Sequence, residues 1–221
     1  MTPDPPYLVN VTERVKIEFD GRDPQNANLS RFEDGFLMDL KRLREFKASD
    51  IKSLIKIQSK TFDGVRERLW AVRIESNPSL TGIDGGTFHA MTSLIRLCIA
   101  DNPHLEKIIE DTFQGLNALE HLLLNNNSLR EITPRIYACR SLKWLCLKDN
   151  FLTEIKPGNV THHAKLQIIN LSGNKLKDVT FPSLPSLTRL ALDHNSLEQI
   201  KPGTFGHSAL LGIQLCPNHP A

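Results

Sequence analysis

The 221-residue chain is poor in aromatic residues (6%), holds four cysteines and has almost no net charge: 27 Lys+Arg stand against 25 Asp+Glu, a formal +2 at pH 7. Four cysteines in this length make no disulfide scaffold. So small a positive surplus, with no basic cluster, gives no electrostatic grip on nucleic acid or on an anionic membrane. No apolar run approaches the roughly 18 residues that a membrane-spanning helix needs. The opening Met1-Thr2-Pro3-Asp4-Pro5-Pro6 lacks the basic and apolar regions of a secretory signal, so the expectation is a chain without its own export or anchoring segment. Catalytic motifs are missing too. Gly206-His207-Ser208-Ala209-Leu210 lacks the second Gly of a nucleophile elbow, and neither a phosphate-binding Gly loop nor a zinc-protease helix motif occurs. The expectation is a protein that is no enzyme and needs no cofactor or metal.

What the chain does have is a repeat. Leu119, Leu122, Leu124, Asn127, Leu129, Ile132 recurs as Leu142, Leu145, Leu147, Asn150, Leu152, Ile155 and as Leu166, Ile169, Leu171, Asn174, Leu176, Val179. It recurs again as Leu187, Leu190, Leu192, Asn195, Leu197, Ile200. Upstream, Leu69 to Ile83 and Leu94 to Ile108 follow the same order with one extra residue after Asn77 and Asn102, each in an Asn-Pro turn. The period is 21 to 25 residues, inside the range of leucine-rich repeats. The central Leu-x-Leu alternates with period two, so it is a short strand with its leucines turned inward. The Asn turns the chain, its amide bonding backbone groups that burial would otherwise leave without partners. A second apolar pair and an aromatic residue, Phe62, Phe88, Phe113 or Phe205, each preceded by Thr, return the chain over the convex side. One coil cannot bury its own apolar row, whereas stacked coils share a continuous core. The predicted fold class is therefore an α/β solenoid: a leucine-rich-repeat horseshoe of about eight repeats, with a parallel sheet on the concave face and irregular or 3-10/helical convex segments.

The ends are less regular. Leu43, Phe46 and Ala48 form a degenerate strand with Ile51 in the Asn place, and Val15, Ile17 and Phe19 alternate ahead of it. Phe32 and Phe36 are placed to close a further imperfect coil. Residues 1–39 thus read as an edge strand and cap-like coil, and 40–221 as the array. Leu210, Ile213, Leu215 and Asn218 begin a last repeat that stops without a polar cap, so partner contact or self-association at uncapped ends is expected.

Residues from about 40 to 218 resemble the leucine-rich-repeat proteins common among secreted and cell-surface proteins. The resemblance rests on the repeat above together with Ile-x-x-x-x-Phe on the return path, seen from Ile83 to Phe88, Ile108 to Phe113 and Ile200 to Phe205. Toll-type receptor ectodomains and insect leucine-rich immune proteins are similar. The resemblance implies a non-enzymatic recognition role, of innate-immune or receptor and adhesion type, at the cell surface or outside the cell.

The register names the side chains that face outward from the strands. Counted from the first Leu, place three is Ala71, Arg96, His121, Trp144, Ile168, Arg189, Gly212 and place five is Arg73, Cys98, Leu123, Cys146, Asn170, Ala191, Gln214. Trp144, Leu123, Ile168, Cys98 and Cys146 would form an apolar island with charged ground on either side, the usual look of a binding surface. The expected contact residues for a protein or glycan partner on the concave face are Arg73, Arg96, His121, Leu123, Trp144, Ile168 and Arg189. The competing expectation is an intracellular scaffold.

The remaining candidates are weaker. Cys98 and Cys146 lie two strands apart, about 9 to 10 Å by strand spacing, beyond the roughly 7 Å reach of a disulfide. His121 nearby lacks any metal-ligand spacing. His162-His163 reads as a solvated loop pair. Of five Asn-x-Ser/Thr sequons, Asn10, Asn28 and Asn159 are the better acceptors by position, while Asn126 and Asn170 project from the concave side.

Overall fold

In a computed structural model the chain is described over residues 16–132, 136, 139–155, 163–181, 184–201, 204 and 209–215. Nine short strands lie side by side in one sheet, every pair parallel. In chain order the elements are β1 (Lys16–Asp20), β2 (Glu45–Ser49), β3 (Lys56–Ile57), β4 (Ala71–Glu75), β5 (Gly82–Ile83), β6 (Arg96–Ala100), β7 (His121–Leu123), β8 (Trp144–Cys146), β9 (Ile168–Asn170), β10 (Arg189–Ala191) and β11 (Gly212–Gln214). The large sheet runs β1-β2-β4-β6-β7-β8-β9-β10-β11, and β3 pairs with β5 in a small second sheet on the return path. A 3-10 turn, Glu110–Phe113, follows β6 on the return path. The solenoid is almost free of helix, and turns carry the chain over its convex side.

The repeat leucines point inward as their spacing requires. Leu69, Val72, Ile74, Leu94, Leu97, Ile99, Leu119, Leu122, Leu124, Leu142, Leu145 and Leu147 are all buried, in one core that runs the length of the stack. Phe62, Phe88 and Phe113 are wholly buried on the return path. At one end Phe19, Phe32, Phe36 and Phe46 pack ring against ring, with centroids 5.1 to 6.5 Å apart, so aromatic bulk closes the core behind β1. At the other, β11 is exposed along its length, with Leu211 88% and Ile213 39% accessible. Ile200, expected inside, is 41% exposed. Phe205, Cys216 and Asn218 lie outside the described residues.

A buried column of asparagines fixes one coil on the next. Asn77, Asn102, Asn127, Asn150, Asn174 and Asn195 are all buried. Each side-chain oxygen accepts a backbone N–H from the preceding coil: Ile51 to Asn77, Asn77 to Asn102, Asn102 to Asn127, Leu129 to Asn150, Leu152 to Asn174 and Leu176 to Asn195, all at 3.0 to 3.1 Å. Each Nδ2 in turn donates to the preceding coil and to its own strand, as Asn150 does to Leu124 and Leu147. The donor moves from the preceding Asn to the residue two further on where the Asn-Pro insertion ends. In the inserted coils the strands β4 and β6 are five residues long and a bridge joins Asn102 to Asn127, whereas β7 to β10 are three residues long.

The residue before each ladder position turns the chain with positive φ: Asp50 (57°), Ser76 (56°), Asp101 (58°), Asn126 (54°), Asp149 (53°), Gly173 (68°) and His194 (54°). Gly, Asn and Asp accept this conformation most readily, and five of the seven positions carry one of them. A second left-handed turn follows the buried Phe, at Gly64 (81°), Ala90 (57°) and Gly115 (84°). Only Ala90 bears a Cβ there.

Two outcomes follow. Asn150→Ala strands the buried Leu129 N–H and removes one of the two donors at each of the Leu124 and Leu147 carbonyls, which keep Asn127 and Asn174, so it lowers unfolding free energy by about 1 to 3 kcal/mol, read from urea unfolding, whereas exposed Asn117→Ala leaves it unchanged. Ala90→Gly relieves the left-handed turn and raises stability by up to about 1 kcal/mol, visible as a higher melting temperature. A fall there would show that Ala90 is not strained.

Candidate functional site

Because every strand pair is in register, outward side chains fall into rows that cross the sheet. One row is Arg96, His121, Trp144, Ile168, Arg189, one residue from each of β6 to β10. The next is Arg73, Cys98, Leu123, Cys146, Asn170, Ala191. Trp144 is 40% exposed and stands as a ridge between two hollows. The first, about 260 Å³, is lined by Arg73, Glu75, Arg96, Cys98, His121, Leu123 and one side of Trp144. The second, about 490 Å³, is lined by the other side of Trp144 with Ile168, Asn170, Arg189, Leu211 and Gln214. All seven residues singled out from the sequence lie on this face. Arg73, Arg96, His121 and Leu123 share the first hollow, and Ile168 and Arg189 the second.

The face is less apolar than the sequence pattern implies. Cys98 and Cys146 do sit in outward places, yet only 8% and 9% of each is accessible. Neighbouring side chains cover these short residues, so the apolar surface is left to Trp144, Leu123 and Ile168. Cys98, Cys139 and Cys146 are free thiols, as the spacing of Cys98 and Cys146 anticipates. Burial pushes all three thiols up, Cys139 to about 12 and Cys98 further with help from neighbouring Glu75. Thiols held protonated in this way are poor nucleophiles and poor metal ligands.

His121 meets the Trp144 ring edge-on, with centroids 6.0 Å apart. Desolvation, and next the positive charge of Arg96, hold its pKa below the ordinary histidine value, so it is neutral at pH 7. Arg96 lies 5.6 Å above the centroid of Trp70, a half-buried residue at the entry to β4 that the sequence pattern did not mark. Stacking on the ring restrains the guanidinium and leaves its N–H edge open.

Elsewhere the structure corrects one expectation, for His163. His163 is fully buried in the apolar column of Met91, Leu116, Cys139 and Leu184, not solvated; His162 lies outside the described residues. Asn126 is exposed in the turn after β7 and donates to Asp101 Oδ1 at 2.6 Å. Asn170 does line the second hollow. Asn28 is exposed, while Asn10 and Asn159 lie outside the described residues. No group of three or more His, Cys, Asp or Glu fit to hold a metal occurs among the described residues.

Comparison with known proteins agrees with the geometry. The leucine rich repeat family model matches residues 67–129 and 140–197, more than half of the chain. The chain belongs to the leucine-rich-repeat family. It is 36% identical to Toll-like receptor 9 of Mus musculus over 80 residues, 35% of this chain and 8% of that one. It is 33% identical to asporin of Bos taurus over 141 residues, 63% of this chain and 36% of that one. Keratocan of Mus musculus is 32% identical over 102 residues, 46% and 28% of the two chains. The chain therefore spans well under half the length of these relatives. Among solved structures, the TLR13–ssRNA13 complex superposes with a TM-score of 0.67 at 21% identity, covering 84% of this chain and 29% of the other. Human 5T4, trophoblast glycoprotein, gives 0.67 at 19%, covering 91% and 77%. These structural likenesses speak to the fold alone. No helix among the described residues is long and apolar enough to cross a membrane.

The electrostatics of the row are testable by NMR. The His121 ring resonance titrates below the ordinary histidine value, and Arg96→Gln moves that midpoint upward by removing one of the causes, leaving desolvation and the weaker charge of Lys143. Since the folded state resists this proton, His121 makes the protein less stable as pH falls through the unfolded histidine value towards the folded one. A midpoint unmoved by Arg96→Gln would separate the two side chains.

Proposed function

We propose that this leucine-rich-repeat chain is a non-enzymatic recognition module that binds a protein or glycan partner on its concave face, in an extracellular or cell-surface setting of receptor, adhesion or innate-immune type. The observation that carries the reading is the convergence of residues from six successive coils on one solvated face around an exposed tryptophan. Trp and Arg are the residue types most often found as binding anchors, and solenoids of this kind present their inner curve to partners. The named relatives, a receptor among them, support the extracellular setting, and the exposed sequon at Asn28 is compatible with it. The buried, unoxidised cysteines favour the second reading, an intracellular scaffold, though thiols this inaccessible also survive outside the cell. The absence of a basic cluster weighs against nucleic acid as the partner, and because the TLR13 structure is a complex with ssRNA13, an oligonucleotide belongs in the assay.

Fluorescent tetramers of the protein are expected to stain cells or matrix of the source organism. Replacing Trp144 and Leu123 together by Ala abolishes that staining, and the convex change Arg130→Ala preserves it. Equal staining by the double variant would move the contact surface to a flank. A loss of mass on glycosidase treatment of the cell-derived protein separates the extracellular reading from the scaffold.

A further inference from the structure

Most basic side chains that reach a neighbouring coil are neutralised by it. Lys47 pairs with Glu18, Lys56 with Asp84, Arg130 with Glu106, Lys143 with Glu120, Lys177 with Glu198 and Lys201 with Asp178. Arg96 and Arg189 are exposed and form no ion pair among the described residues. Within one row they flank His121, Trp144 and Ile168, and no carboxylate stands between them in that row or in the adjacent stretch Cys98, Leu123, Cys146, Asn170 and Ala191; beyond Arg96 the row continues through Ala71 to Glu45, and Arg73 and Glu75 share the hollow at the Arg96 end. Four strand spacings separate the two arginines, about 19 Å. An extended peptide advances about 3.3 Å per residue, so some six residues bridge them.

We infer that the Arg96-to-Arg189 row binds an extended acidic peptide segment that lies across the strands, with a carboxylate at each end and apolar side chains seated against Trp144 and Ile168. The inference rests on the concave-face reading above and names the partner's chemistry. The guanidinium of Arg96, restrained by Trp70, and that of Arg189 each offer a two-pronged donor edge suited to a carboxylate. The neutral state of His121 keeps the middle of the row uncharged at pH 7. That middle disfavours a uniformly charged polymer such as a sulfated saccharide, whose central anions would be pressed against Trp144 and Ile168 without a cation. Leu123 in the next row widens the apolar seat.

The test uses two immobilised hexapeptide libraries with the same four randomised middle positions, one ending in Glu at both termini and the other in Gln. The protein is expected to be retained by the Glu-ended library, with apolar residues enriched in the middle and retention weakening as salt rises. For the best peptide, Arg96→Gln and Arg189→Gln each lower affinity roughly tenfold or more, as loss of a charge-assisted contact does. Trp144→Ala weakens binding while the preference for Glu ends persists. Arg189→Glu shifts the preference to peptides with Lys at one end. Equal retention by both libraries overturns the inference. Binding that Trp144→Ala abolishes and neither arginine variant affects overturns it too, while the concave-face reading survives. Binding insensitive to every concave-face change overturns both. Capture of a heparin tetrasaccharide through the same two arginines, with no peptide retained, replaces the peptide with a saccharide. All four substitutions are at solvated positions, and circular dichroism confirms that each variant folds.

Discussion

The structure depends on an amide shared between coils. A solenoid turn must bury backbone groups that neither its short strand nor its irregular return path satisfies, and each unpaired buried N–H or C=O costs about 1 to 3 kcal/mol. Each ladder asparagine answers several such groups at once, accepting a backbone N–H from the coil before it and donating to carbonyls on both coils. A side chain reaching across the stack in this way locks phase as well as spacing. A coil that slipped by one residue would break the ladder and turn its leucines to water.

That shared phase explains why so much of the fold is legible from residue spacing. Leu122, Leu145, Ile169 and Leu190 are neighbours in space because each stands five places before an Asn in the ladder. The outward rows could be written down for the same reason. A further signal stands in the residue before each ladder position, which is Asp, Ser, Asp, Asn, Asp, Gly or His, and the positive φ found there accounts for most of this choice. Aspartate and asparagine in this place look like solvated charge and polarity until the turn is seen.

What spacing could not supply is how far a side chain of given length emerges. On the inner curve of a stack, outward residues lean together, and a cysteine between larger neighbours disappears beneath them while a tryptophan does not. Cys98 and Trp144 are both outward-facing by register, yet their exposures are 8% and 40%. The same blindness applies to His163, whose polar type reads as surface although its position, three before Leu166, is an inward one shared with Met91 and Leu116. Position in the coil decided its burial, and residue type misled. Trp70 falls on the flank of the repeat, where no periodic rule applies, whereas Ile200 holds the repeat place of the buried Ile83, Ile155 and Val179 yet is exposed in the coil before β11.

Fold and recognition are thereby divided between two sets of residues that alternate along the same strands. Inward leucines and the ladder asparagines are fully committed to neighbours, and altering them disturbs every coil that shares their hydrogen bonds. Outward residues of the Trp144 row touch little of that network, so their chemistry answers to other demands. Charges on the flanks and return path meet partners on adjacent coils, which makes them part of the stacking. Arg96 and Arg189, like Arg73 beside them, meet no carboxylate in that scheme: Arg96 rests on the Trp70 ring of the coil before it, and the guanidinium groups are left without an ion pair among the described residues, beside exposed aromatic and aliphatic surface. An uncompensated charge in water is cheap to keep, and held by a rigid sheet it is already positioned for an anion, so little ordering cost remains when one arrives.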